Sequence, residues 1–236
     1  SDLVGGPEVS FESSDLLKEG VDAISIGEGE SSVWEYVQSI IEGNPHEIVG
    51  IYTQDYPNTT YAYSDLSVNE ACESPYFLSF DEDDMDKRYL YFETSRGCPY
   101  GCEYCLSSTD KKVRQFSETY ILKELAKIGQ SKVRQVKFLD RTFNTNPQRA
   151  LRIARYINEH CPHQVFQFEV VAETLSEELL TFFTQEADKE RFRFEVGVQS
   201  FNGNTLKAVG RIQNNERLKE VIQRMRNAGL ILHVDL

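Results

Sequence analysis

From Arg88 onward, apolar, β-branched and aromatic runs at 89–95, 133–139, 164–171, 192–199 and 230–236 alternate with stretches of helical periodicity. The helical stretches carry their own boundary signals. Ser117 opens 117–129, Pro147 opens 147–159, Ser176 and Glu178 open 176–187, and Gly229 closes 215–228. Strands separated by helices of this length pair in parallel, since parallel neighbours need a crossover where antiparallel ones need only a turn. The fold class is therefore α/β, with an open parallel sheet or a βα barrel as the two architectures that fit. A strand pattern is still running at Leu236, so the chain reads as part of a longer protein.

The N-terminal part follows a similar but shorter plan. Leu3-Val4-Gly5-Gly6-Pro7-Glu8 predicts a strand running into a turn, and 14–19 a short helix ended by Gly20. A second strand is predicted at 21–26, a turn at Gly27-Glu28-Gly29-Glu30, and a helix at 31–41 closed by Gly43. Two such units cannot cover both faces of a parallel sheet, so 1–49 is expected to be the C-terminal part of a doubly wound domain. Residues 50–87 have weak periodicity, frequent turn residues and the acidic run Asp81-Glu82-Asp83-Asp84. They are expected to be a linker whose acids are solvated, which leaves 88–236 as the second domain.

No stretch approaches the roughly 18 uncharged apolar residues of a membrane span. The basic-then-apolar pattern of a signal peptide is also missing from the first residues. A net charge of −13, from 38 acidic and 25 basic residues, argues against a nucleic-acid substrate. A local basic patch would have to come from Arg149, Arg152 and Arg155 or from Arg191 and Arg193. Five cysteines, three of them within eight residues, make a poor disulfide framework and a good metal or cluster site, which fits a reducing compartment such as the cytoplasm.

Cys98-x-x-x-Cys102-x-x-Cys105 follows the first strand of the regular region, at the end where parallel α/β folds gather function. Three thiolates spaced this way can each reach a different iron of one cubane and leave the fourth iron without a protein ligand. Clusters used for electron transfer are held by four cysteines. A zinc site is the alternative, and it wants a fourth nitrogen or sulfur ligand. Cys72, in the linker, and Cys161, after a distant helix, do not supply one nearby. Three unrelated buried cysteines would not be expected to crowd so closely.

Arg96-Gly97-Cys98-Pro99-Tyr100-Gly101-Cys102-Glu103-Tyr104-Cys105 resembles the signature of the radical S-adenosylmethionine superfamily. The resemblance implies a partial barrel of six βα units over 88–236, truncated before its last strand. It also implies a 4Fe-4S cluster on Cys98, Cys102 and Cys105, with S-adenosylmethionine chelating the open iron and being cleaved reductively to a 5'-deoxyadenosyl radical. A small-molecule substrate and an electron donor such as flavodoxin or ferredoxin follow from the same likeness. It places Tyr104 near the adenine and Asp140, after the second strand, at the amino group of the cofactor. Gln199 and Ser200, with Glu195 in the same segment, fall at the ribose and carboxylate, and Arg211 is a second candidate for the carboxylate. Glu169 and Glu195 stand inside strands, where a carboxylate needs a partner; Arg191 or Arg193 is expected to pair with them across the sheet.

Val4-Gly5-Gly6-Pro7-Glu8 and Ile26-Gly27-Glu28-Gly29-Glu30 are similar to the last two strand-turn segments of the cobalamin-binding domain that precedes the barrel in one large subfamily. That subfamily includes Fe-S oxidoreductases and magnesium-protoporphyrin monomethyl ester oxidative cyclase-like proteins. Cobalamin is thus implied for the full-length parent but not expected on this fragment, because the segment carrying the axial-side histidine lies upstream. A cobalamin-dependent methyltransferase or cyclase is the function implied for the parent, and an iron-sulfur or zinc binding module without catalysis is the alternative. His160-Cys161-Pro162-His163 offers three further ligands but follows a helix, and is expected to be a loop with a buried cysteine.

Overall fold

The structure, a computed structural model, describes residues 2–10, 15–78 and 84–235. Asp81, Glu82 and Asp83 of the acidic run, the start of the helix expected at 14–19, and Leu236 lie outside the described residues. The chain divides into two compact units, Ser1–Cys72 and Glu73–Leu236.

In the first unit β1 (Leu3–Gly5) pairs in parallel with β2 (Ala23–Ser25), and β2 pairs antiparallel with β3 (Ile51–Thr53). Helix α1 (Ser32–Ile41) lies between β2 and β3 in sequence, and α2 (Leu66–Ala71) follows them. The strand β3 comes from the stretch expected to be a linker; three residues are too few to show a period, yet Ile51 is buried with Ala23 and Ile48. Leu17, Ile24 and Ile26 form a second small core. The expected short helix before Gly20 is a series of turns over 15–20. Gly27 is a position where only glycine fits: its φ is +94°, and a Cβ would sit 2.5 Å from the Ala62 carbonyl oxygen.

The second unit is built on five parallel strands, β4 (Tyr89–Phe92), β7 (Gln135–Phe138), β8 (Val165–Val170), β9 (Phe192–Gly197) and β10 (Ile231–Asp235), which neighbour one another in sequence order. Between β4 and β7 come the two-stranded β5 (Ser95–Arg96) and β6 (Arg114–Gln115), and then α3 (Glu118–Gln130). The remaining crossovers carry α4 (Pro147–His160), α5 (Glu177–Thr181), α6 (Gly203–Ala208) and α7 (Asn215–Asn227). A doubly wound sheet reverses its strand order partway. An order that never reverses is the winding of a βα barrel, of which these strands form an arc.

The two faces of the arc differ sharply. Phe92, Val136, Phe138, Phe166, Phe168, Phe192 and Phe194 alternate along the strands and are all buried. They pack with Phe143, Phe182 and Phe183, the last two in a single π-helical turn that continues α5. Phe168 is central: its ring centroid lies 4.4 Å from that of Phe143 and 4.6 Å from that of Phe138. The intervening positions, among them Lys137, Gln167, Glu169, Arg193 and Glu195, are partly buried and polar. Among the described residues no helix is long and apolar enough to cross a membrane.

Because Phe168 fills the middle of a close-packed aromatic layer, Phe168→Ala should leave a cavity that the sheet cannot collapse into. The expected loss is about 3–5 kcal/mol of unfolding free energy, read by urea denaturation followed by circular dichroism. A loss below about 1 kcal/mol would contradict this packing role.

Candidate functional site

The cysteine loop leaves the arc just beyond β4, and its stem is fixed before any cysteine is reached. Buried Asp140, two residues after β7, accepts from the Thr94 amide at 2.8 Å, the Thr94 hydroxyl at 2.6 Å and the Ser95 hydroxyl at 2.6 Å. Arg149 of α4 donates to the Thr94 carbonyl at 2.7 Å and the Thr94 hydroxyl at 3.2 Å, tying the same stem to a helix. Burial pushes the Asp140 carboxyl upward, while these donors and the neighbouring Arg149 charge favour the ionised form. The short β5–β6 pair then closes the base of the loop.

Gly97 turns the chain into the loop with φ +88°, and a Cβ there would stand 2.4 Å from the Lys112 carbonyl oxygen. The Cys98 amide donates to Asp110 at 2.9 Å, the Cys105 amide to Cys102 at 3.0 Å, and the Glu103 amide to Val209 at 3.1 Å. The loop is thereby held at its root, within itself, and to the end of α6. Cys98, Cys102 and Cys105 all line one cavity of about 270 Å³, together with Tyr100, Tyr104, Thr142 and the strand ends. The Cys98 sulfur is 3.9 Å from the Thr142 hydroxyl. Among the described residues, no three His, Cys, Asp or Glu side chains converge closely enough to hold a single metal ion. A cubane has a different iron for each thiolate.

Of the other residues singled out from sequence, Tyr104, Glu195 and Gln199 line this cavity. Burial raises the Tyr104 hydroxyl above its ordinary value, and Arg211 braces that hydroxyl at 3.4 Å while also donating to the Gly197 carbonyl and to Gln213. Gln199 sits at φ +64°, an unusual conformation for a residue with a side chain, held by its amide donating to the Asp235 carbonyl at 3.0 Å. Glu195 is paired with Lys137 at 3.1 Å and accepts from Gln167.

Two of the candidate residues lie outside the cavity lining. Asp140 is 1% exposed and does not line the cavity; both its oxygens accept from Thr94 and Ser95, which supports the stem of the loop. Ser200 also lies outside the lining, its hydroxyl accepting from the Asn202 amide at 3.1 Å in the turn before α6. The arginine expected to pair with Glu195 across the sheet is replaced by Lys137, and Arg191 is instead bonded to Asp188 and to the Asn158 and Cys161 carbonyls. Burial, and then the neighbouring Glu195 charge, push the Glu169 carboxyl upward. No basic patch forms from Arg149, Arg152 and Arg155: the first is buried, and the others pair with Glu118 and Glu186.

Arg141, Thr142, Tyr100 and Asp235 also line the cavity. The signal for them was their position at strand C-termini or within the cysteine loop. Cys161 lies elsewhere, fully buried, its thiol donating to the Leu125 carbonyl at 3.5 Å and pushed up to about 12 by burial.

Comparison with known proteins agrees with this geometry. An uncharacterized methyltransferase of Pyrococcus horikoshii is 30% identical over 171 residues, covering 66% of this chain and 37% of the relative. The cobalamin-dependent S-adenosylmethionine radical enzyme OxsB, solved with aqua-cobalamin bound, superposes with a TM-score of 0.76 at 21% identity over 98% of this chain and 36% of its own. The radical S-adenosylmethionine methyltransferase TsrM from Kitasatospora setae gives 0.74 at 16% identity over 98% and 48%. These two likenesses concern the fold, and the chain spans less than half the length of each of these relatives. The Radical SAM superfamily model matches residues 92–235, from the last residue of β4 to the last of β10, and the chain belongs to that superfamily.

Proposed function

We propose that Cys98, Cys102 and Cys105 hold a 4Fe-4S cluster with one open iron, and that the cavity between their loop and the strand ends takes S-adenosylmethionine. The observation that carries this reading is that all three thiols border a single cavity whose other walls are the C-terminal ends of β8, β9 and β10. When bound, the cluster supplies the electron that splits the sulfonium bond of the cofactor. The chain's own residues bind and orient: Tyr104, steadied by Arg211, offers a ring face; Gln199 offers an amide from a fixed backbone. Glu195, neutralised by Lys137, borders the floor. Walls built from β8 and β9 limit the access of water to whatever reacts there.

Glu173, in the turn that follows β8, lies near Tyr100 of the cavity lining and adds a second support. Both carboxylate oxygens are buried without a hydrogen-bond partner, and burial raises its carboxyl above the usual range. An unpaired buried carboxylate is costly. A cationic ligand group would relieve that cost, and S-adenosylmethionine carries a sulfonium and an ammonium.

For the parent protein we infer radical methylation or cyclisation of a small molecule, with cobalamin as partner cofactor and flavodoxin or ferredoxin as electron donor. The descriptions of the Pyrococcus horikoshii relative and of TsrM support the methyl-transfer version. In this reading residues 1–49 belong to a cobalamin-binding-like domain.

Two outcomes are expected. After anaerobic reconstitution with iron and sulfide and reduction by dithionite, the chain should convert S-adenosylmethionine to 5'-deoxyadenosine and methionine, measured by chromatography. Cys102→Ala should fall to background, and a wild type that makes neither product contradicts the reading. In the ligand-free chain, Glu173→Gln should raise the thermal midpoint at neutral pH. A carboxyl whose folded pKa is raised loses stability as pH climbs from its unfolded value near 4.3 through the folded one. The gap between variant and wild type should therefore be small at pH 4, open as pH rises and then level off. A gap independent of pH would show that Glu173 carries no such burden.

A further inference from the structure

The concave face of the arc is unusual for a barrel interior, which is ordinarily filled by branched apolar side chains. Register partners place Tyr91, Lys137, Gln167 and Arg193 in one row across β4, β7, β8 and β9. The next row toward the cysteine loop holds Glu169, Glu195 and His233. Lys137 and Gln167 both turn to Glu195, at 3.1 Å for the lysine, so the carboxylate is doubly satisfied. Arg193 is left over. Its Nε is buried without a partner, and among the described residues its guanidinium makes no hydrogen bond or ion pair. Several other arginines of this unit are committed, Arg149 to Thr94, Arg191 to Asp188, Arg211 to Gly197 and Arg217 to Glu177, whereas Arg141 at the cavity wall makes no side-chain hydrogen bond among the described residues.

A partly buried guanidinium with nothing to bind is disfavoured unless a ligand completes it, and its planar donors match a carboxylate or phosphate oxygen pair. We propose that Arg193 is the anion subsite of the substrate pocket, reading a carboxylate or phosphate at the deep end of the concave face. This rests on the radical reading above for the identity of the ligand as substrate. Gly197, which borders the cavity under the cysteine loop, lies four residues further along β9, roughly 13 Å at about 3.3 Å per residue. The substrate is therefore a small anionic molecule whose reacting carbon is on the order of 10 Å from its charged group. Between the two ends, Glu169 and Glu195 face hydroxyl or amino groups of that molecule.

The test uses the purified chain without cluster. Inorganic phosphate and succinate are titrated at constant ionic strength, and the thermal midpoint is followed in wild type, Arg193→Gln, Arg193→Lys and Arg152→Gln. A ligand that binds only the folded state raises the midpoint with concentration. Wild type and Arg152→Gln should shift upward, Arg193→Gln should not, and Arg193→Lys should keep part of the shift; the stronger of the two anions identifies the headgroup. An unchanged shift in Arg193→Gln, or none in wild type, overturns the assignment. If wild type shifts through Arg193 yet fails to cleave S-adenosylmethionine, the radical reading falls and the anion subsite stands. If it cleaves the cofactor but shows no shift, the reverse holds.

Discussion

The carboxylate of Asp140 is buried between the first two strands of the arc and accepts from Thr94 and Ser95 on the stem of the cysteine loop, while Arg149 grips the same stem from α4. Hydrogen bonds to a charged group contribute about 1.5–3 kcal/mol each, and more is lost when one partner is removed from a buried set. Three such bonds converge on two consecutive residues, so the stem has one position relative to β4 and β7. Everything that follows in the loop inherits that position: the left-handed Gly97, the amide of Cys98 on Asp110, and the thiols at the cavity wall.

The sheet that carries this loop divides labour between its faces. Phenylalanines on the helix-covered side interlock at ring distances of 4.4–6.5 Å and supply the rigidity. The other side pairs Lys137 with Glu195 and leaves Arg193 at a position where a ligand can complete it. Incomplete pairing of this kind costs stability in the free chain. It is the arrangement a binding cavity needs, since a fully satisfied network would have nothing to offer a polar ligand.

The arc was legible because five strand patterns alternate with four helical ones, and the caps read at Ser117 and Ser176 bond as capping residues do. The three cysteines were legible from spacing. Strand β3 and helix α6, of three and six residues, are too short for a period to emerge and are stabilised by contacts with distant residues. The surroundings of Asp140 were not legible for a similar reason: a carboxylate after a strand reads as a ligand group, and only the fold reveals that Thr94 and Ser95, more than 40 residues earlier, bond both its oxygens. Lys137 as the partner of Glu195 is likewise a cross-strand fact, fixed by register and invisible to linear order.

The account stands on three thiols holding a cluster that leaves one iron open. Electron paramagnetic resonance of the anaerobically reconstituted, reduced chain, recorded with and without S-adenosylmethionine, tests this most directly. A 4Fe-4S spectrum that changes when the cofactor is added is the predicted result. A spectrum indifferent to the cofactor, or a chain that takes up zinc in place of an iron-sulfur cluster, would contradict it.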